Sequence, residues 1–258
     1  MPIDHGWIAA TTVSTAGVNE HAKHNSKRRD DRTGDGQTDT WTELEGPLPR
    51  QRREDRNADG QADVVIDYRE GKPDRQQEDT NLDGQADRFT AFEAGVPRSV
   101  EQDRTHDGRV DARAEFDAQG AKTVERQDEN DDGAFEIVIF FEAGKRARVE
   151  EDTRGDGQPD VVVFYEPSGG AGETPRIARR EIDRDGDGRF DTLLLFEADL
   201  PREQRRDSTG DGRFDQLVAL AEDGQPVKEQ FDTDGDEKID LTRAYVAGVL
   251  ALEETDTD

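Results

Sequence analysis

Cysteine is absent from the sequence, so neither a disulfide framework nor thiolate ligation or catalysis is open to it. Aromatic residues supply 6% of the chain and the whole apolar set 30%, which is little material for a buried core. No run is long and apolar enough for a membrane helix, and no basic segment precedes an apolar leader, so neither a transmembrane helix nor a signal peptide is expected. Positive charge is also short. Against 63 Asp and Glu stand 35 Lys and Arg, and the formal charge of −28 argues against nucleic acid and against an anionic membrane as direct partners. Of the four histidines, His5, His21 and His24 lie in the first 30 residues beside WIAATTVSTAGV without a metal-binding spacing. Only His106 lies further on. Nucleophilic Cys–His or Ser–His–Asp arrangements therefore have almost no material, and no catalytic activity is expected.

What the chain has in excess is aspartate, and it is periodic. The stretch DRDGDGRFDTLLLFE, residues 183 to 197, places Asp183, Asp185, Asp187 and Asp191 within nine positions and follows them with an apolar run. Glycines let such a segment curl, and converging carboxylates repel unless a cation lies among them. A hard divalent ion with oxygen ligands suits this donor set; a solvated acidic turn is the plain alternative for any single copy. The pattern recurs nine times, opening at Asp31, Asp55, Asp79, Asp103, Asp128, Asp152, Asp183, Asp207 and Asp232, with spacings of 24, 24, 24, 25, 24, 31, 24 and 25. The fifth position is always Asp: Asp35, Asp59, Asp83, Asp107, Asp132, Asp156, Asp187, Asp211 and Asp236. The ninth is Asp39, Asp63, Asp87, Asp111, Glu136, Asp160, Asp191, Asp215 and Asp240. At the third stand Thr33, Asn57, Asn81, Thr105, Asn130, Arg154, Asp185, Thr209 and Asp234. Turn preference alone does not hold oxygen-bearing side chains at positions 1, 3, 5 and 9 through nine copies, so Ca²⁺ binding is the reading drawn.

The segments DRDGDGRFD, DRNADGQAD and DTNLDGQAD resemble the calcium loops of FG-GAP repeats and thrombospondin type 3 repeats, and more distantly EF-hand and dockerin loops. The resemblance implies ligation by side chains at positions 1, 3, 5 and 9, some through water, and by the main-chain carbonyl at position 7, here that of Arg189. It also implies a bacterial surface protein. It covers about nine residues in each 24. An EF-hand needs a bidentate Glu at position 12, where Ile66, Ile139, Val163 and Leu194 stand inside apolar runs. Thrombospondin repeats depend on cysteine, and FG-GAP units are longer.

Each loop leads into a strand-like run such as VVIDY, IVIFF, VVVFY or TLLLF, rich in β-branched and aromatic residues. Position 14 carries Leu44, Tyr68, Phe92, Phe116, Phe141, Tyr165, Phe196, Leu220 and Tyr245, an apolar ladder read as core. A second turn follows, with Gly in most copies, and then a polar strand on which Pro73, Pro97, Pro201 and Pro226 suit the first residue. The fold expected is all-β: an elongated tandem array of nine β-hairpins of about 24 residues, an antiparallel meander or solenoid-like coil with calcium loops along one edge. A coiled single sheet, a two-layer solenoid and a propeller-like closure share these local signals. Apolar residues on both faces in copies 5 to 8 suggest that the sheet curls over on itself there.

The organisation expected is an N-terminal extension or cap (1–30), repeats 1–6 (31–165), a Gly-rich connection (166–177), repeats 7–9 (178–246) and a C-terminal cap with an acidic tail (247–258). Copies 7 and 9 should bind most tightly, although Glu237 replaces the loop glycine in copy 9; copies 2, 3 and 5 are intermediate, and copy 6 weakest because Arg154 places a cation among the ligands. Nine divalent ions would supply 18 positive charges and take −28 to −10, and a composition this polar is expected to need them to fold. Millimolar extracellular calcium would fill loops of moderate affinity, which points to a secreted or cell-surface location. Two functions fit: a calcium-rigidified stalk, adhesin segment, scaffold or filament subunit with head-to-tail self-assembly, or a calcium-dependent sensor of a cell-surface protein or glycan.

Overall fold

The computed structural model describes residues 25–166 and 174–256. The N-terminal histidines and most of the connection at 166–177 lie outside them. Every element among the described residues is a β-strand, and no helix long and apolar enough to cross a membrane is present. Nine strands lead into the acidic loops: β1 (Asn25–Asp30), β3 (Leu48–Glu54), β5 (Lys72–Glu78), β7 (Val96–Gln102), β9 (Lys122–Gln127), β11 (Lys145–Glu151), β13 (Ile177–Ile182), β15 (Leu200–Arg206) and β17 (Pro226–Phe231). Nine leave them: β2 (Thr40–Glu45), β4 (Val64–Arg69), β6 (Arg88–Glu93), β8 (Ala112–Phe116), β10 (Ile137–Glu142), β12 (Val161–Tyr165), β14 (Thr192–Glu197), β16 (Gln216–Leu220) and β18 (Leu241–Val246); β19 (Val249–Thr255) completes the last hairpin.

Each strand pairs antiparallel with the next in sequence, from β1–β2 through β18–β19, giving one unclosed 19-stranded sheet with β1 and β19 as its edges. The acidic loops lie along one side and the tight turns along the other. In most copies the tight turn is two residues with positive φ at both, as at Glu70–Gly71 (54° and 77°) and Ala94–Gly95 (53° and 87°), which matches the twist of the flanking strands. Copies 4 and 8 use longer turns, Asp117–Ala121 and Ala221–Gln225, closed by Gly120 and Gly224 N–H donating to the Asp117 and Ala221 carbonyls. Each adds one residue, which accounts for the two spacings of 25. The spacing of 31 comes from the return between Tyr165 and Ile177.

Every hairpin carries a bulge at one point. Phe140 faces Arg148 and Phe141 faces Arg146, so Ala147 is unopposed; Asp67 faces Arg75 and Tyr68 faces Pro73, which leaves out Asp74. The position-14 residue therefore meets a proline across the pair in five hairpins: Leu44–Pro49, Tyr68–Pro73, Phe92–Pro97, Phe196–Pro201 and Leu220–Pro226. The bulge releases these residues from the regular ladder, so a missing N–H is tolerated there. Pro73, Pro97 and Pro201 are second in their strands rather than first; Pro226 is first.

The position-14 ladder is only half buried. Full burial falls nearer the loops, at Val64, Ile139, Val149, Val161, Val162, Val163 and Val218. Ile139, Val149, Val161 and Val163 form one cluster, flanked by Ile137, Phe141, Tyr165, Ile177 and Ile182 on β10, β12 and β13. These strands are sheet neighbours, so the apolar faces of copies 5 to 7 are not covered by a second layer of sheet. The polar strands cover them. Arg148 lies 4.1 Å over the Phe140 ring and Arg179 3.9 Å over Phe164, with their heads paired to Glu150 (3.0 Å) and Glu181 (3.3 Å). The Nε atoms of Arg52, Arg113, Arg148, Arg180, Arg202 and Arg206 are buried, as expected of stems lying flat on the sheet.

Burial predicts where the sheet is sensitive. Ile139→Ala should lower the unfolding free energy in urea by about 2–4 kcal/mol, and Ile239→Ala, at a position 41% exposed, by about 0.5 kcal/mol or less.

Candidate metal sites

The nine acidic loops share one hydrogen-bond cage. The first aspartate accepts the N–H of position 6 through Oδ2 in all nine copies, at 2.7–2.9 Å. Its Oδ1 accepts the N–H of position 4 in eight, at 2.5–2.8 Å. The fifth-position Oδ1 accepts the N–H of position 7 in all nine, at 2.7–2.9 Å. The ninth-position carboxylate closes the loop by accepting the N–H of position 2 in every copy. Aspartates thus do the work of turn formers first, each curling the chain around its own side chain.

This curl needs positive φ at positions 4 and 6. Position 4 adopts it in all nine copies even where it is not glycine, as at Ala58, Leu82, His106 and Asp131. At position 6, Gly188 has φ 84°, and a Cβ there would stand 2.7 Å from Gln158 Oε1 of the preceding loop. Glu237 takes the same conformation with φ 70° and still donates its N–H to Asp232 at 2.9 Å, at the cost of a left-handed non-glycine residue.

Burial divides the donors. First-position Asp55, Asp79, Asp103, Asp128 and Asp183 and ninth-position Asp39, Asp63, Asp87, Asp111 and Asp160 are buried, whereas the third and fifth positions are exposed throughout. In four copies the carboxylates converge, with one oxygen from each of three residues within 4.8 Å of the others: Asp31, Asp35 and Asp39; Asp128, Asp132 and Glu136; Asp183, Asp185 and Asp191; Asp232, Asp234 and Asp240. Each of these groups could hold a metal ion. The carboxylates of copies 2, 3, 4, 6 and 8 do not form such a triad among the described residues. In copies 2 and 3 the Asn57 and Asn81 amides instead donate to Asp59 (3.1 Å) and Asp83 (3.0 Å).

Copy 5 differs in a way that bears on ligation. Asp128 is 5% exposed, and its Oδ1, the atom that accepts the position-4 N–H elsewhere, has no hydrogen-bond partner. A buried carboxylate oxygen without a partner is costly, and here it sits on a residue of one of the converged triads.

Position 2, which carries no signal in the sequence beyond a bias to Thr, Ser and Arg, also reaches the ninth residue with its side chain, at the free Oδ1 for Thr80 and Arg104, at both oxygens for Ser208 and at the Oδ2 that already accepts the N–H for Thr153 and Thr233. Thr80, Thr153, Ser208 and Thr233 donate their hydroxyls to Asp87, Asp160, Asp215 and Asp240, and Arg104 Nε donates to Asp111 Oδ1 at 2.9 Å. The loops are also joined to one another. The N–H of each opening Asp donates to the carbonyl of the preceding ninth residue, from Asp55 to Asp39 (2.9 Å) through Asp232 to Asp215 (2.9 Å), and Asp256 repeats the bond to Asp240 (2.6 Å).

These donors hold several carboxyls below the ordinary aspartate range. Asp39 is lowered chiefly by the Thr33 N–H, Asp160 by the Thr153 hydroxyl and Asp240 by the Thr233 hydroxyl. For Asp207, burial is the largest influence and pushes upward, but the N–H groups of Gly212 and Gly210 with Thr209 together outweigh it. Asp131 moves the other way, raised by burial and then by Asp107, Asp128, Asp111 and Asp103 around it.

No protein-family model matches the chain, and no curated protein matches it. Among solved structures, a chain from the crystal structure of a GtfA/B complex is similar over 48% of this chain and 20% of the other, with 14% identity and a TM-score of 0.28. This chain thus spans one fifth of that chain's length.

A carboxyl whose folded value is depressed stabilises the fold above its unfolded value and loses that contribution as pH falls through the folded one. The metal-free chain should therefore lose stability as pH drops below about 4, the ordinary aspartate range, as followed by urea midpoint. Thr233→Val should move the NMR titration of the Asp240 carboxyl upward; an unmoved titration would remove the hydroxyl as its cause.

Proposed function

We propose that this chain is a calcium-binding β-repeat protein of the cell exterior, with a structural role as a stalk, adhesin segment, scaffold or filament subunit. The observation that carries the reading is the unpartnered, buried Oδ1 of Asp128 in a loop where a carboxylate oxygen from each of Asp128, Asp132 and Glu136 lies within 4.8 Å of the others. A cation among these oxygens relieves both their mutual repulsion and the orphaned acceptor. Oxygen-only donors, acidic and flexible, favour Ca²⁺ over the softer transition metals and over Mg²⁺, which demands a tighter octahedron. The remaining loops repeat the same backbone cage, and the formal charge of −28 gives every one of them a reason to take up cations. Extracellular calcium is abundant enough to fill such sites without high affinity, which supports the location. The exposed edge strand β19, with Val249 68% and Leu252 48% accessible, supports self-assembly as one form of the structural role.

One observation favours a second reading, calcium-dependent binding of a partner protein or glycan. Loops 8 and 9 line an open cleft in which Phe214 and Ile239 are exposed beside Arg213.

Far-UV circular dichroism and light scattering during a calcium titration of the EDTA-stripped chain test the proposal, with magnesium as control. Calcium should increase the β-signal and raise the thermal midpoint, and magnesium should do so weakly. A chain indifferent to calcium would reduce the loops to acidic turns. A gradual response well above micromolar calcium supports the structural role, and a sharp micromolar transition supports the sensor.

A further inference from the structure

Copy 6 is the one whose third position is a base, and Arg154 does not turn away into solvent. Its guanidinium Nη1 donates to Oδ1 of Asp160, the ninth-position oxygen left over once Oδ2 has accepted the Thr153 and Arg154 N–H groups. Its Nη2 donates to the main-chain carbonyls of Asp183 and Arg184, which open loop 7. Nη1 also stands 4.0 Å from Oδ1 of Asp183, so the guanidinium lies between two buried carboxylates of successive loops. The fit depends on the neighbour: a Cβ at Gly186 would be 3.2 Å from Arg154 Cζ, and that residue has φ 81°. Arg104 offers a contrast. It reaches Asp111 from position 2, outside the donor set, and its third-position neighbour Thr105 keeps an oxygen.

The same seam is distinct in two further ways. The return from Tyr165 to Ile177 is the longest in the array, and the buried Val149, Val161 and Val163 with half-buried Ile177 and Ile182 lie on the strands that meet there. We propose that Arg154 is the resident cation of the sixth loop: its guanidinium replaces a divalent ion and clamps copy 6 to copy 7, so that this seam stays closed without metal. The planar fork, with several fixed donors, satisfies a carboxylate and two carbonyls together, which a single ammonium group cannot match. The array thus has a metal-independent centre from which metal-dependent repeats extend on both sides. The replacement of an ion, unlike the clamp, rests on the other loops being divalent-ion sites.

Two measurements on the full chain test it. Native mass spectrometry at saturating calcium should count one more bound ion in Arg154→Asn, which gives copy 6 the third-position residue of copies 2, 3 and 5, than in the wild type. Equal counts would overturn the replacement. Hydrogen exchange in EDTA, with no ion present, should find wild-type amides of residues 149–163 and 177–193 protected, and both Arg154→Asn and Arg154→Lys should exchange there about tenfold faster. Unchanged exchange in the variants, or an unprotected wild-type seam, would overturn the clamp. A wild type that binds no calcium would sink the reading of the other loops, and the exchange in EDTA would still decide the clamp.

Discussion

Repulsion among carboxylates held on one edge of one sheet is the constraint around which this molecule is organised. Each loop draws acidic side chains inward because their oxygens are needed as acceptors for the N–H groups of a tightly curled backbone. The same contraction concentrates negative charge. Backbone donors offset part of it, as the depressed carboxyl of Asp39 records, and threonine or serine hydroxyls at position 2 offset another part, chiefly so at Asp240. What these donors leave uncompensated contributes at Asp131, whose carboxyl is raised first by burial and then by the acidic groups of its own loop and the one before it. Ion pairs with long side chains serve in places, most completely at Arg154.

The second constraint is thickness. A single sheet has no opposing layer to bury against, and a chain with 30% apolar residues could not supply one. The alternation of apolar and polar strands answers this. Arginine and glutamate on the polar strands extend sideways over the aromatic and aliphatic groups of their neighbours, burying methylene stems and Nε atoms while keeping charged heads at the surface. The charged composition, which looks like that of a disordered chain, is therefore partly the covering of the sheet itself.

Much of this was legible in advance because it is periodic. The phase of the loops, the strand after each and the tight turn beyond it follow from repeated Asp, Gly and β-branched residues, and the meander follows from their order. The spacings of 25 were readable as numbers but not as turns, since Asp117–Ala121 and Ala221–Gln225 differ from their two-residue counterparts by hydrogen bonding. The bulge had no sequence signal except the prolines opposite position 14. The covering role of Arg148 and Arg179 was hidden because charged residues in a polar strand read as solvated. Within the loops, composition marked the donors but not their convergence: copies 2 and 3 have the right residue types, and their asparagine amides turn toward the fifth-position aspartate. The orphaned oxygen of Asp128 follows from copy 5 lacking the N–H bond from position 4 that the other eight loops make, which no single residue type announces.

Strict nearest-neighbour order has a mechanical consequence. Because every strand pairs only with those adjacent in sequence, and β1 and β19 lie at opposite margins, tension applied between them acts along the hydrogen bonds rather than across them. Bonds loaded in that direction break one after another, as a zipper opens, and not in concert. Each hairpin that peels away frees about 24 residues of slack, on the order of 80 Å when fully extended. The seam at copies 6 and 7, where Arg154 crosses between loops, is a stop at which such peeling must break a side-chain clamp as well as a ladder. Under load, the molecule is a stepwise extender with a catch near its middle.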